Sequence, residues 1–416
     1  MVDEANIEQC FIDAAKRKTN HPDVAAVLRP ECFHDHVKAL QKILTDGTFV
    51  PPPHRKQKIN EHNCGKEREI IKPEYKYEQV VHHCIIKILQ PIVIRGLYEH
   101  ALGSIPNKGA HSGKKTIEKW IRGYKGKKFY ILKGDVRHCF RTEDIHVIES
   151  KLGEVIKDEA FLDLCAVVLE SEAEWITPEF DNIDDWTDTE YLCGLPLGFV
   201  TSQWFTQLNF KRFDHMIMED WHKVYSVDHY MRYMDDIVIF SRNKKQLHRL
   251  KDKIEAYLQT EMHQKLKGNW QVFRFEYTDR KTGKVRGRAI DFMGFVFHRN
   301  RTTMRKTILL RSTRKARRIA KKERITWYDA CAMLSYIGWY DDTDTYDYYE
   351  RIIKPLVNVR QLKKIVSRHS KKGMKPNDYK LVSVGKHGST AGMGHNIIAD
   401  NGLSASKYPQ GDARRR

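Results

Sequence analysis

The chain has 416 residues, which is long enough for two or three cooperating subdomains. Lys and Arg number 73 against 54 Asp and Glu, and the resulting net charge of +19 predicts a polyanionic partner, most simply nucleic acid. No apolar run reaches membrane-spanning length, no apolar leader segment begins the chain, and the eight cysteines form no C-x-x-C pair. The sequence therefore argues against a zinc ribbon, a disulfide framework and a membrane partner, and it predicts a cytoplasmic protein with reduced thiols.

The first half of the chain is predicted to be mainly helical. Residues 1–50 form a helical N-terminal extension that ends at a run of three prolines. An apolar helix covers 83–94 and is expected to break at Pro91. The stretch FYILKGD at 129–135 predicts a short buried strand that runs into an acid, and the acidic residues 170–190 are typical of a surface insertion.

The second half alternates strands and helices. A turn rich in Gly and Pro leads into a helix after 194, and YMRYMDDIVIF at 230–240 predicts a hairpin. The remaining predicted elements are a charged helix near 243–262, strands within 269–298, a basic segment at 299–324, a helix pair at 326–369 and a flexible tail from 371. The basic segment carries twelve Lys or Arg and one acid, so we expect it to follow phosphates rather than form a merely solvated face.

Asp235 and Asp236 stand between two runs of strand-forming residues, where a tight turn is expected. Two adjacent carboxylates fit either a solvated hairpin tip or a divalent-metal site, because Mg²⁺ prefers oxygen ligands. Asp135 ends the predicted strand at 129–135. If that strand lies beside the hairpin, Asp135 and Asp235 converge on one pair of metal ions, an arrangement suited to displacement at phosphorus.

Seven short blocks, in order, resemble those of reverse transcriptases over most of residues 60–370. The blocks are REIIKP (68–73), GSIPNKG (103–109), KGDVRHCF (133–140), GLPLGFVTSQ (194–203), YMDD (233–236), KLKGNWQVF (265–273) and FMGFVF (292–297). The resemblance implies an α+β right-hand polymerase with fingers, a palm of antiparallel sheet plus helices, and a short helical thumb. The implied boundaries are 51–298 for fingers and palm, 299–370 for a basic thumb and 371–416 for the tail.

The resemblance also implies the activity and its residues. The enzyme would be an RNA-directed DNA polymerase that uses two Mg²⁺ ions, dNTPs, an RNA template and a DNA primer. Asp135, Asp235 and Asp236 would form the catalytic, metal-binding cluster. Other implied positions are Arg68, Lys72, Phe140 and Gln203 for the nucleotide, and Phe292, Met293 and Gly294 for the primer grip. A ring at Phe140 would clash with a ribose 2′-OH, while Lys265 and Lys267 are further candidates near the triphosphate.

The form PLGFVTSQ at 196–203 resembles bacterial enzymes of the diversity-generating, retron-like and phage-defence groups, and each of these would copy a cognate structured RNA. No segment resembles an RNase H domain, an H-N-H endonuclease or an intron-maturase extension, so we expect DNA synthesis without degradation of the RNA strand. Two alternatives stay open: a catalytically silent RNA-binding descendant of such an enzyme, and an RNA-templated RNA polymerase.

Three other motifs are set aside. In GAHSGKKT at 109–116 the glycine spacing is one residue shorter than in a phosphate-binding P-loop, and Lys115 stands where Ser or Thr must follow the lysine. The spacing of His54, His62, Cys64, His82 and His83 matches no standard zinc pattern. The acids at 181–188 lack the glycine and ligand spacing of a calcium loop.

Overall fold

The computed structural model describes residues 1–19, 21–61, 66–177 and 189–373. They fall into two compact units that divide between Met293 and Gly294. His62, Cys64, the acids at 181–188 and the tail beyond 373 lie outside the described residues. Both units combine helices with sheet, so the predicted α+β class is confirmed.

A large helical core occupies the first part of unit one. The N-terminal helices are α1 (Glu4–Ala15), α2 (Pro22–Val27) and α3 (Pro30–Thr45). They share one hydrophobic cluster with α4 (Val80–Arg95), α7 (Ile145–Val155), α8 (Glu159–Glu170) and α9 (Val200–His215). Pro91 does not break α4, contrary to expectation. Burial of this helix on a face that includes Leu89 and Val93 compensates for the hydrogen bond that proline cannot donate.

The central sheet of unit one has five strands in the order β3-β7-β8-β4-β9. Its strands are β3 (Ala101–Leu102), β4 (Tyr130–Asp135), β7 (Val227–Tyr233), β8 (Asp236–Ser241) and β9 (Gln271–Arg274). All neighbours are antiparallel, as predicted, except the short β3, which adds one parallel pair with β7 at the edge of the sheet. Helix α11 (Lys244–Met262), capped by the Asn243 side chain, packs on one face.

Shorter elements complete unit one. Three two-stranded sheets pair β1 (Lys56–Glu61) with β2 (Lys66–Ile71), β5 (Glu174–Ile176) with β6 (Tyr191–Cys193), and β10 (Tyr277–Thr278) with β11 (Val285–Arg286). The other elements are α5 (Ala110–Gly123), α6 (Cys139–Thr142), α10 (Trp221–Val224) and β12 (Ile290–Phe292).

Unit two is a helical bundle with one small hairpin. Strands β13 (Phe295–Phe297) and β14 (Thr302–Met304) pair antiparallel. The helices are α12 (Lys306–Ala320), α13 (Trp327–Asp341), α14 (Tyr346–Tyr348) and α15 (Val359–Gly373). The basic segment becomes β14 and α12, which buries Ala316 and Ile319 and leaves Arg314, Arg317 and Arg318 exposed.

A capping box begins α13, and it supplies a stability prediction. The Asp329 amide donates to the Thr326 hydroxyl at 3.2 Å, and the Thr326 amide donates to the Asp329 carboxylate at 3.3 Å. Thr326→Ala is expected to lower the free energy of unfolding of unit two by about 1 kcal/mol, because the cap hydrogen bond is lost. Chemical denaturation measures this change. Thr307→Ala, at an exposed position of α12, is the control and should leave stability nearly unchanged.

Candidate active site

The hairpin between β7 and β8 turns one residue earlier than the sequence suggests. Tyr233 pairs with Asp236, so the two turn residues are Met234 and Asp235 rather than the two aspartates. Met234 has φ of 55°, the left-handed conformation that a two-residue hairpin requires. Asp236 is therefore the first residue of β8, and its partner across the neighbouring strand is Asp135, the last residue of β4.

The three aspartates are brought together, with Asp135 and Asp235 in closest interaction. Burial raises the pKa of Asp235 to about 7, and the negative charges of Asp135 and Asp236 add to the shift. Asp135 accepts a 3.0 Å hydrogen bond from the Lys267 ammonium through Oδ2. Its other oxygen is buried and has no hydrogen-bond partner in the described part of the chain. The charges of the other two aspartates therefore oppose ionisation of Asp235.

Two clefts meet at these acids. The larger cleft, about 1110 Å³, is lined by both Asp135 and Asp235, and the smaller, about 150 Å³, by Asp135 and Asp236. The basic side chains that line the larger cleft are Lys56, Arg68, Arg137, Arg141, Lys265 and Lys267. Acidic side chains line it in equal number: Glu67, Glu69, Asp135, Glu172, Glu174 and Asp235. Guanidinium and ammonium groups beside a carboxylate pair suit a ligand that carries several phosphates.

The acids fit a divalent cation. A buried carboxylate oxygen without a donor, beside a second carboxyl whose pKa is raised to about 7, is an environment that added positive charge would stabilise. Among the described residues, one set of three side chains brings its ligand atoms within 4.8 Å of one another, and it is Glu4, Glu8 and His34 on α1 and α3. The aspartates act as a close pair, Asp135 and Asp235, rather than as such a trio.

The segment that follows α11 forms hydrogen bonds with Asp135 and with a residue just after it. The Lys267 amide donates to the Asp135 carbonyl at 2.8 Å, and the Arg137 amide donates to the Lys265 carbonyl at 2.8 Å. Through these hydrogen bonds the KLKG segment, residues 265–268, becomes part of the site. Lys267 therefore contacts Asp135 through both its backbone and its side chain.

Two glycines are required by close approach. A Cβ on Gly198, whose φ is 127°, would lie 2.0 Å from the carbonyl oxygen of Ile71. The Ile71 amide donates to the Leu197 carbonyl at 2.8 Å, so strand β2 abuts the turn before α9. A Cβ on Gly103, with φ of 88°, would lie 2.8 Å from Cγ of Met234. Gly198 thus lets the turn before α9 approach the backbone of β2, whereas Gly103 lies against the side chain of Met234, the residue before Asp235.

Comparison with known families identifies the chain. A family model described as "Reverse transcriptase (RNA-dependent DNA polymerase)" matches residues 66–296, more than half of the 416 residues. The chain belongs to the reverse transcriptase family. The match begins at β2 and ends within β13, so it includes Asp135, both hairpin aspartates and the two glycines of close approach.

Two relatives match parts of this reverse transcriptase. The group II intron-encoded protein LtrA of Lactococcus lactis subsp. cremoris is 22% identical over 185 residues, which is 44% of this chain and 28% of LtrA. Nuclear intron maturase 1, mitochondrial, of Arabidopsis thaliana is 30% identical over 102 residues, which is 24% of this chain and 14% of the maturase. The chain therefore matches less than a third of the length of either relative.

Solved telomerase structures show a distant likeness. Apo telomerase from Candida tropicalis gives a TM-score of 0.48 at 10% identity, over 85% of this chain and 65% of that chain. Telomerase from Candida albicans in complex with a TWJ fragment of telomeric RNA gives 0.47 at 11% identity, over 83% and 58%. Neither TM-score reaches 0.5.

The other positions suggested by the family resemblance are dispersed. Arg68 and Phe140 line the larger cleft, whereas Lys72 and Gln203 are not among its described lining residues. Phe292 is fully buried, and Met293 contacts the position of Gly113, where a Cβ would lie 2.6 Å from Cε of Met293. Gly294 begins unit two. Within the described ranges, no helix combines the length and apolar character needed to cross a bilayer.

A buried polar network that sequence reasoning missed lies beneath the larger cleft. Glu143 is fully buried and accepts hydrogen bonds from the Asn209 amide at 3.2 Å and the Cys139 thiol at 3.5 Å. The Lys151 ammonium donates to the Asn209 side chain at 2.5 Å. Burial raises the pKa of Glu143 to about 7 and lowers the pKa of Lys151 to about 8. The sequence signal for this network is a polar pair, Glu143-Asp144, that follows the KGDVRHCF block.

Glu143 gives a pH prediction. Its folded-state pKa lies above its ordinary value of 4.5, so its contribution to stability is greatest at low pH and is lost as the pH rises toward 7. Between pH 5 and 7.5 we expect this group to lower the free energy of unfolding by about 1–3 kcal/mol. Lys151 titrates above this window and does not offset the loss. Urea unfolding at both pH values should show a decline that is smaller by this amount in Glu143→Gln than in the wild type, whereas Glu154→Gln, exposed on α7, should decline as the wild type does.

Proposed function

We propose that the protein is an RNA-directed DNA polymerase that adds dNTPs to the 3′-OH of a primer. The observation that carries this proposal is the pairing of Asp135 with the partly desolvated Asp235 at the edge of a large cleft whose lining includes Arg68, Arg137 and Lys267. Membership of the reverse transcriptase family supports it. In the reaction, the primer 3′ oxygen bonds to the α-phosphorus, the bond from that phosphorus to the bridging oxygen breaks, and pyrophosphate leaves.

Asp135 and Asp235 are the residues that would hold two Mg²⁺ ions. When bound, Mg²⁺ supplies Lewis-acid activation of the primer oxygen and charge neutralisation on the phosphates. Asp236 adds negative charge from the side of the smaller cleft. Lys267 neutralises part of the charge of Asp135 and stands at the wall of the larger cleft, within reach of a phosphate group there.

The larger cleft is the proposed nucleotide site. Arg68 of β2 is among its lining residues, and charge-assisted hydrogen bonds from guanidinium groups suit a triphosphate. Phe140 lines the same cleft and would exclude a ribose 2′-OH. Lys72 and Gln203 would contact the nucleotide after binding of the template or the nucleotide brings them to the cleft.

The domain roles follow the same proposal. Residues 51–298 serve as fingers and palm, and 299–370 serve as a thumb whose α12 presents exposed Arg314, Arg317 and Arg318 to phosphates of the hybrid. Primer-extension activity at limiting primer-template should therefore fall steeply with salt, through loss of counterion release. The proposed template is a cognate structured RNA of a bacterial retroelement or defence system. Sequencing the nucleic acid that copurifies with the protein tests that assignment.

Primer extension tests the polymerase itself. The purified full chain is supplied with an RNA template, an annealed DNA primer, Mg²⁺ and either dNTPs or NTPs. Incorporation of dNTPs in preference to NTPs is expected. RNA binding without incorporation would instead favour the catalytically silent descendant, and preferential NTP incorporation would favour an RNA-templated RNA polymerase.

A further inference from the structure

A fully buried ion pair lies next to the catalytic turn and takes no direct part in the proposed chemistry. Arg232, in β7, and Asp214, in α9, both have side chains with no exposed surface. The guanidinium donates from Nε to Oδ1 at 2.8 Å and from Nη2 to Oδ2 at 2.6 Å, a two-point contact. The Tyr230 hydroxyl donates to Asp214 Oδ1 at 2.7 Å. Asp214 is thus saturated by donors from the strand that leads into the turn.

The same guanidinium reaches the turn directly. Arg232 Nη1 donates to the carbonyl of Met234 at 2.9 Å, and Nη2 donates to Gln207 Oε1 at 3.0 Å. Its central carbon lies 4.8 Å from the centre of the Phe210 ring. Four donor contacts in fixed directions leave the guanidinium little freedom. Because the Met234 carbonyl belongs to the peptide that enters Asp235, its orientation sets the direction of the Asp235 side chain.

Gln207 and the Gly103 loop support the turn from the other side. The Gln207 amide donates to the carbonyl of Gly103 at 2.8 Å, and the Met234 amide donates to the carbonyl of Leu102 at 3.1 Å. Met234, with its positive φ, is therefore held at its amide and at its carbonyl. A left-handed non-glycine residue is costly and persists when its surroundings fix it.

Stability alone does not account for this arrangement. Desolvation offsets most of the attraction in a buried ion pair, and apolar side chains of similar volume often serve the core as well. What apolar side chains cannot supply is a donor to the Met234 carbonyl. We infer that Arg232 and Gln207 are positioning residues, aligned by Asp214, that fix the Met234–Asp235 turn so that Asp235 faces Asp135. This inference rests on the proposed polymerase function.

The decisive variant is the double replacement Asp214→Leu/Arg232→Met. It removes both charges together, so no buried charge is left unpaired, and it removes the donor to Met234. The buried Tyr230 hydroxyl and the Met234 carbonyl lose their partners, so we expect a folded protein with an unfolding temperature below that of the wild type. We also expect a Mg²⁺ concentration for half-maximal activity raised at least about 10-fold, and kcat lowered about 10–100-fold with a KM for dNTP changed less than about 3-fold. Arg242→Met, at the exposed position directly after β8, is the matched control and should behave as the wild type.

Metal binding without turnover provides an independent measurement. Mn²⁺ titration followed by electron paramagnetic resonance should show weaker binding by the double variant than by the wild type and Arg242→Met. This measurement does not require polymerase activity. If the protein is not a polymerase but the turn is positioned as inferred, the double variant should still bind Mn²⁺ more weakly than the wild type. If the positioning inference is wrong, the two proteins should bind Mn²⁺ equally.

A second variant covers the case in which the double variant does not fold. Gln207→Met keeps the ion pair but removes the donor to the Gly103 carbonyl and the acceptor for Arg232. It should raise the Mg²⁺ requirement in the same direction, by about 3–10-fold. The inference would be overturned if the folded double variant kept the Mg²⁺ dependence and kcat of the wild type. If the double variant does not fold, the same result for Gln207→Met would overturn it.

Discussion

Replacing Asp235 by Asn is expected to reduce primer extension by at least about 10³-fold, because the reaction depends on concentrated negative charge at the Asp135–Asp235 pair. Asp235 is the member of the hairpin that lines the larger cleft together with Asp135. Asparagine keeps the size of the side chain and removes its charge. Single-turnover extension with saturating dNTP separates this loss of chemistry from a loss of nucleotide binding.

Asp236→Asn is the matched comparison for Asp235→Asn. Asp236 lies in β8 and lines the smaller cleft, so we expect a smaller loss, on the order of 10-fold. Asp235→Asn should unfold at a temperature no lower than the wild type, because it removes a desolvated carboxyl beside two other acids. Extension by a folded Asp235→Asn variant within a factor of ten of wild type would remove Asp235 from the mechanism.

Replacing Phe140 by Ala is expected to raise the incorporation of NTPs relative to dNTPs by about 10–100-fold, because the side chain that would meet a 2′-OH is removed. Phe140 lies in α6 and is half-buried at the wall of the larger cleft. Its carbonyl accepts the Leu195 amide at 2.6 Å, which fixes the backbone that carries the ring. The ratio of kcat/KM for a matched dNTP and NTP measures the change.

Phe273→Ala controls for the general loss of an aromatic ring. Phe273 is also half-buried, but it lines the smaller cleft. The nucleotide preference of this variant should stay that of the wild type. If Phe140→Ala keeps the wild-type ratio while its rate of dNTP addition falls, the ring serves core packing rather than sugar selection.

The hairpin shows how far local sequence reasoning reaches. Strand-forming residues on both sides of Asp235 and Asp236 predict the two strands correctly, since side-chain preference for a pleated surface is local. The turn is offset by one residue because Asp236 pairs with both Tyr233 and Asp135. Pairing across the sheet is a tertiary property that a single strand's sequence does not contain.

The buried hydrogen-bond network that fixes the Met234–Asp235 turn could be predicted from the sequence in part. Arg232 is the one charged residue within YMRYM, and a charge inside a buried strand requires a partner. Its partner, Asp214, lies in another element, and no spacing rule joins them. Lys267 was recognised as a candidate, but its double contact with Asp135 depends on how the chain returns to the sheet after α11.

The Lys267–Asp135 contact has a consequence for the protein between reaction cycles. An ammonium held 3.0 Å from the carboxylate acts as a built-in counter-ion, so folding does not have to wait for a divalent ion. Arrival of such an ion would release this cation toward incoming phosphates. The protein should therefore stay folded in a buffer that contains a chelator and bind the divalent ion once that ion is supplied.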